Sequence, residues 1–249
     1  VIVEPQKHFD VLTYTGNNNS GRLITGLKFK PDFVWFKKRS GGGQNHTLYD
    51  SVRGAGKRLM LPSTAAEGTV SDELTSFNDG GFTIDTDNFQ NENAKDYVAW
   101  CWKAGGAAVT NNDGSGTSQV SVNKEAGFSI VTYSGNATGS ATSAVWQTIG
   151  HGLGKKPGFY ALKRTGAAEG WSCYVDGLDA GAGKILSFAS TSAASSSSGD
   201  FNNTEPTSSV ISVGTQDRTN SNGQEHIGYV FTPIQGFSAM GQYDGNGNS

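Results

Sequence analysis

Apolar and polar positions alternate along most of this chain in short runs, and the densest run is Ala94-Lys95-Asp96-Tyr97-Val98-Ala99-Trp100-Cys101-Trp102-Lys103. A period of two puts Val98, Trp100 and Trp102 on one face and Tyr97, Ala99 and Cys101 on the other. Both faces are apolar, so the pattern predicts a buried central strand in which the Trp100 ring is covered. The run has a twin. In Gly223-Gln224-Glu225-His226-Ile227-Gly228-Tyr229-Val230-Phe231, the residues Ile227, Tyr229 and Phe231 fall on Val98, Trp100 and Trp102 at an offset of 129. The pattern therefore predicts two copies of one unit.

The same doubling runs through the rest of the chain. Phe9-Asp10-Val11-Leu12-Thr13-Tyr14-Thr15-Gly16-Asn17 reads as an opening strand that closes in a Gly-Asn turn, and Phe128-Ser129-Ile130-Val131-Thr132-Tyr133-Ser134-Gly135-Asn136 repeats it at an offset of 119. Pro31-Asp32-Phe33-Val34-Trp35-Phe36-Lys37-Lys38 is matched by Pro157-Gly158-Phe159-Tyr160-Ala161-Leu162-Lys163-Arg164 at an offset of 126. Each proline precedes a strand, where a missing N–H is tolerated. The growing offset places the insertions of the second copy in loops such as 137–143. A hairpin follows in each copy, His46 to Leu61 and Ser172 to Phe188, turning at Gly54-Ala55-Gly56-Lys57 and Gly181-Ala182-Gly183-Lys184. Superposed copies should place Trp100 on Tyr229, Phe33 on Phe159 and Asp50 on Asp176. A third opening is expected in 237–249.

Composition agrees with this pattern. Gly accounts for 35 of 249 residues and charged residues for only 16%, as expected of short strands joined by many turns. The expected fold class is all-β, with two tandem antiparallel β-sandwich modules of the jelly-roll or lectin-like kind related by the internal repeat. Their expected bounds are 1–106 and 127–236, with 107–126 as a Gly/Ser/Asn linker and 237–249 as the start of a further module or a tail. A net charge of −3 without basic clusters argues against a nucleic-acid partner. No run of 18 apolar residues is present, so membrane insertion is not expected. The start Val1-Ile2-Val3-Glu4 lacks an initiator Met, and the chain reads as a piece of something longer. Cys101 and Cys173 align with Val230 and Thr47 of the opposite copies, so both are expected as free thiols.

Four words of the first copy carry a resemblance. Phe9-x-Val11-x-Thr13-Tyr14-Thr15-Gly16-Asn17, Pro31-Asp32-Phe33-Val34-Trp35, Asp50-Ser51-Val52-Arg53-Gly54 and Tyr97-Val98-Ala99-Trp100-Cys101-Trp102-Lys103-Ala104-Gly105-Gly106 together resemble the repeated β-modules of virion proteins from marine and cyanobacterial tailed phages. The likeness spans residues 9–106. The second copy is looser: Asp176-Gly177-Leu178-Asp179 stands where the Asp-Ser-Val-Arg-Gly word would be, and Tyr229 and Phe231 replace the closing tryptophans. The resemblance implies a large tail-associated or capsid-surface protein at the virion surface, and it carries over no site residues.

Motifs for chemistry are weak. The two Gly-Ala-Gly-Lys words lack the other features of a phosphate loop, because Ser51 and Leu178 stand where its first Gly belongs and Arg58 and Ile185 follow the Lys. They are expected to be turns. Asp85 and Asp87 offer oxygens for Ca²⁺, but in no EF-hand spacing, and an Asx-rich turn is the plainer reading. The paired carboxylates of a sandwich glycosidase on one strand, Glu-x-Asp-x-x-Glu, are absent. His8, His46, His151 and His226 neighbour no Gly-x-Ser-x-Gly elbow. The chain is therefore expected to be neither an enzyme nor a cofactor carrier. Exposed aromatic rings are the better binding feature, since sugars stack on flat faces. Trp146 and Trp171 are the candidates, with Trp35 expected in the core. The expected function is that of a structural spacer, decoration or adhesion module in contact with other virion proteins and with copies of itself over more than about 1,000 Å². The alternative is a carbohydrate-binding, lectin-like module that recognises a host-surface glycan.

Overall fold

Alternation on this scale can bury residues only in sheets, and the computed structural model is built of them; it describes residues 2–137, 145–178, 181–188, 190–241, 243 and 246. The first half contains Phe9–Thr15 (β1), Arg22–Thr25 (β2), Phe33–Lys38 (β3), His46–Asp50 (β4), Lys57–Leu61 (β5), Gly68–Thr69 (β6), Leu74–Asn78 (β7), Gly81–Ile84 (β8) and Asp96–Trp102 (β9). The second contains Val109–Asn111 (β10), Ser118–Asn123 (β11), Phe128–Ser134 (β12), Gln147–Gly150 (β13), Phe159–Arg164 (β14), Ser172–Val175 (β15), Lys184–Ile185 (β16), Ser195–Ser196 (β17), Val210–Val213 (β18) and Glu225–Phe231 (β19). Two single-turn helices, Ser198–Phe201 (α1) and Asp217–Asn220 (α2), lie among the last of these. Every pairing between named strands is antiparallel.

Each half carries one large and one small sheet. The large sheets run β1-β9-β3-β4-β5-β6 and β10-β11-β12-β19-β14-β15, and the small ones β2-β8-β7 and β13-β18, beside the short pair β16-β17. As the two-sided apolar pattern predicted, β9 and β19 each lie between two neighbours. The repeat holds at the level of register. Phe9 faces Trp102 as Phe128 faces Phe231, and Phe33 faces Trp102 as Phe159 faces Phe231. Trp35 faces Trp100 as Ala161 faces Tyr229, so Trp100 and Tyr229 hold equivalent places.

One expected equivalence is displaced by a residue. Phe33 faces Asp50, but Phe159 faces Val175, so Asp176 corresponds to Ser51 and Cys173 to Leu48. Sheet alternation sets this register: Tyr49 and Tyr174 must share a face, and matching the two aspartates would turn every side chain of the strand over. Residues 107–126, whose composition reads as a linker, hold β10 and β11. Ser118 and Val120 of β11 are buried where it pairs with β12. Alternating Ser, Val and Gln suit an added strand as well as they suit a tether, and pairing with β12 decides between them.

Alternation also assigns the faces. Val34, Phe36, Tyr49, Ala99 and Cys101 turn toward Ile24, Leu74, Phe82 and Ile84 of the small first-half sheet. Val131, Tyr133, Tyr160, Tyr174 and Val230 turn toward Ile149, Ile211 and Val213 of the small second-half sheet. The other faces of the two large sheets meet each other. Phe33, Leu48, Leu59 and Leu61 from one pack with Phe128, Ile130, Ala161, Cys173 and Tyr229 from the other. The order of layers is small, large, large, small. Each fully buried Phe or Leu in the middle contributes about 1.5–3 kcal/mol, so the seam between the halves is itself a core. Both cysteines are free and buried. Burial pushes the Cys173 thiol up to about 12 and that of Cys101 higher.

Of the expected third opening, residues 237–241, 243 and 246 are described and the rest lie outside the described residues, as does the 137–143 insertion beyond Ala137. Ile2, Ala126 and Ile234 form a small cluster against which Phe237 packs.

Candidate functional site

Along the middle of the first large sheet, β3 and β9 set Trp35 against Trp100 edge to face, with ring centres 5.9 Å apart, and β4 brings His46 beside both. Trp35 Nε1 donates to His46 Nδ1 at 2.7 Å, which leaves the histidine proton on Nε2. Burial first, and then the Lys37 charge, lower the pKa of this imidazole, so it stays neutral and keeps accepting. Trp35, Trp100 and Trp102 wall an open groove of about 270 Å³. The groove leads to a cleft of about 260 Å³ between the halves, lined by residues that include Phe33, Phe159, Trp171, Phe188 and Met240. Such walls exclude water and take apolar groups; they present no paired charges for acid–base work.

Trp100, expected to be covered, is not. Its ring is only half-buried. The equivalent Tyr229 is 3% exposed. The two large sheets meet off-centre, and the second half covers the Phe33–Leu48–Trp102 side of the first sheet while leaving the Trp35–Trp100 side partly open.

The expected ligand pair separates. Trp171 is 1% exposed and lies in the seam, where its Nε1 donates to Met60 O at 3.3 Å and its ring stacks on Tyr229. Burial between the sheets withdraws it from any surface ligand. Trp146 is 50% exposed and precedes β13 on the opposite side of the second large sheet, so the two rings do not form one platform. Trp35, expected in the core, instead stands at the groove.

A buried polar group locks the seam. Asp50 accepts from Val52 N, Arg53 N and Arg53 Nε, the last at 2.6 Å. Arg53 also donates to Glu67 at 2.9 Å and to Tyr229 Oη at 3.1 Å, and Tyr229 Oη donates to Asp50 Oδ2 at 2.8 Å. Burial works against the guanidinium charge, but Asp50 and Glu67 outweigh it and hold Arg53 charged. Burial pushes the Tyr229 hydroxyl well up. The Asp-Ser-Val-Arg-Gly word is the first half's contribution to this lock.

Each half also buries one carboxylate on the side of its small sheet. Glu73 accepts from Tyr49 Oη and is paired with Arg58. Burial and then Asp87 raise its pKa to about 8. Asp200 accepts from Ser172 Oγ at 2.6 Å and is held by Arg218 at 2.6 and 2.7 Å.

Of the cation candidates, Asp85 binds Ser20 Oγ and Thr86 N, both at 2.8 Å, and the Ser20 hydrogen bond lowers its pKa. Asp87 joins Asp72 and Glu73, with one oxygen from each within 4.8 Å of the others. Hard cations want such oxygens. Arg58, already paired with Glu73, sets a positive charge against a divalent ion there. A further cavity, of about 590 Å³ beside Lys30, Asp32, Asp79 and Lys103, balances two cations against two carboxylates. Asp32 is committed to Ala104 N at 2.7 Å, Ser51 Oγ at 2.9 Å and Gly106 N at 3.3 Å.

The histidines are structural contacts. His8 meets Asn123, His151 meets Thr207 O and Leu153 N, and His226 lies between Gln224 O and Asp217 O. Among the described residues no helix is long and apolar enough to cross a membrane.

The model of the family described as Domain of unknown function (DUF7483) matches residues 4–249, and so spans both halves and the seam between them. The chain belongs to that family. No curated protein and no solved structure matches the chain. A family unit of this extent agrees with the geometry, since a DUF7483 half taken alone would expose half of the central core.

Proposed function

We propose that this chain is a structural, interaction-based building block that works without turnover, as a spacer, decoration or adhesion unit of a larger assembly. The observation that carries the reading is the Trp35–Trp100–Trp102 groove, an apolar surface that continues out of the seam on a frame whose buried carboxylates Asp50, Glu73 and Asp200 are each spent on the fold. In this reading each half is a β-sandwich module, large sheet on small, of the jelly-roll or lectin-like kind. The sequence resemblance to tailed-phage virion modules suggests the surface of a virion, at tail or capsid, as the place of assembly, with other virion proteins and copies of the chain as partners.

The second reading, a carbohydrate-binding module, rests on the half-exposed ring of Trp146. A sugar site needs hydroxyl-binding groups around its aromatic face, and the tryptophan groove is walled by apolar side chains. A glycan array read together with hydrolysis of the same glycans tests both. The structural role expects neither selective binding nor released sugar. Selective binding abolished by Trp146→Ala would establish the carbohydrate reading in its place, and turnover of any glycan would overturn both.

A further inference from the structure

Two equivalent strands of this protein stand in opposite situations. β12 is paired on both sides, by β19 and by β11, whereas β1 is paired by β9 alone and ends its sheet. Where β12 receives β11, Ile130 lies opposite Ser121 and Thr132 opposite Gln119. Val11 and Thr13 hold the matching positions on β1. Among the described residues no strand lies across from them.

The direction of the free groups follows from the ends of the ladder. His8 O accepts from Lys103 N and Gly16 N donates to Lys95 O, so the even-numbered residues face β9. The odd-numbered ones turn their N–H and C=O outward. Two of those outward groups are met locally, Val11 N by Asp10 Oδ1 at 2.8 Å and Thr15 O by Arg22 Nη1 at 2.7 Å. The segment before β1 does not fill the edge as β11 does for β12. Pro5–Lys7 winds into a 3₁₀ turn, and Ile2 packs against Ala126 and Ile234.

The side chains repeat the contrast. Val11 is 39% exposed beside the half-buried Trp100 and Trp35, while their equivalents Ile130, Tyr229 and Ala161 are buried in the seam. An open ladder and an uncovered apolar strip thus occupy one border of one sheet. That strip continues the established seam through Trp102. An edge of seven residues bearing apolar neighbours is what natural proteins cover or blunt.

We propose that the β1 edge is an assembly surface whose occupant is β1 of a second copy of this chain, added antiparallel about a two-fold axis. The proposal rests on the structural reading above and names its partner. The edge is complementary to itself. With Leu12 on the axis, the outward residue Val11 meets the outward Thr13 of the other copy, and Phe9 meets Thr15. Asp10 then meets Tyr14, and the two Asp10 carboxylates lie about 14 Å apart at the usual rise per residue, beyond the screening length at physiological salt. No like charges face each other. A two-fold pairing closes on itself and so removes both open edges at once.

Sedimentation equilibrium of the whole chain from about 1 µM to about 1 mM, the range in which a modest self-contact populates, tests this. The wild-type chain is expected to pass from monomer to dimer. Thr13→Pro removes an outward N–H while leaving the ladder to β9, and should weaken the dimer at least about tenfold without lowering the melting temperature. Val11→Lys places a charge at the same edge and should do the same if the proline distorts the strand. In the covered twin, Thr132→Pro removes a bonded N–H and should lower the melting temperature. A wild-type chain that stays monomeric throughout, growth past the dimer into open polymers, or a dimer indifferent to both β1 variants would overturn the proposal. Selective glycan binding that persists in monomeric Thr13→Pro would overturn the structural reading and leave the edge to be decided by sedimentation alone.

Discussion

The two halves share a frame and differ in what lies at its borders. Both run an opening strand, a hairpin and a closing central strand in the same order, with β15 one residue out of step with β4, and both bury an Arg-paired carboxylate toward a small sheet. The second half adds β10 and β11 at the edge that the first leaves open. The first half supplies Asp50 and Arg53 to the seam, where the second answers with Tyr229. Matching positions can therefore carry opposite duties. Trp100 lines an open groove, while its counterpart Tyr229 sits inside the central core and holds the lock. The repeat conserves the strand order, and the off-centre meeting of the sheets makes one copy a surface and the other an interior.

Several substitutions would break or sharpen this comparison. The largest effect is expected at the central pair. Tyr229→Ala should cost about 3–5 kcal/mol, because it empties a buried ring and strips a partner from Asp50 and Arg53. Trp100→Ala should cost clearly less, since its ring is only half-buried. Chemical denaturation of both variants checks the order, and equal losses would mean that the two sites are not so different. Next, Arg53→Ala leaves Asp50 as an uncompensated buried charge and should cost about 3–5 kcal/mol. Asp176→Asn, at an aspartate the sequence pairs with Asp50 but the fold leaves at the surface beside Lys156, should stay within about 0.5 kcal/mol.

Smaller effects appear in the pH dependence. The pKa of Glu73 rises from 4.5 to about 8 on folding, so between these values the folded state holds a proton that the unfolded state has lost. The stability it contributes is full below pH 4.5 and lost as pH rises through 8. Glu73→Gln should flatten that fall in melts taken across the window. Lys163 runs the other way. Its ammonium donates to Thr64 O, Ala167 O and Glu169 O, and burial lowers its pKa from 10.5 to about 8. The unfolded state binds the extra proton between pH 8 and 10.5, so stability should rise with pH across that range. Lys163→Met should remove the rise, and a rise that survives the substitution would point to another group.

The candidate site was legible only in pieces. Alternation puts Trp35 and the strand of Trp100 and Trp102 in the core, because it shows which residues share a face and not whether that face is covered. Trp171 reads as a ligand contact for the same reason, since a tryptophan flanked by Gly170 and Ser172 looks like a loop residue until the first large sheet, through Met60, closes over it. The Asp-Ser-Val-Arg-Gly word was visible as a word. That its partner is Tyr229, 176 residues from Arg53, was not, because nothing local to either segment encodes the contact.

What the sequence determined by itself is what local chemistry repeats: the all-β class, the central strands β9 and β19, the doubling of the opening strands β1 and β12, and two free thiols. A period of two and the need to bury two apolar faces suffice for these. Only the tertiary structure decided that 107–126 is sheet rather than tether, that β15 is displaced by one residue against β4, and that the two large sheets meet face to face. Those outcomes depend on which surface another part of the chain covers, and burial of that kind is a property of the assembled layers rather than of any one segment.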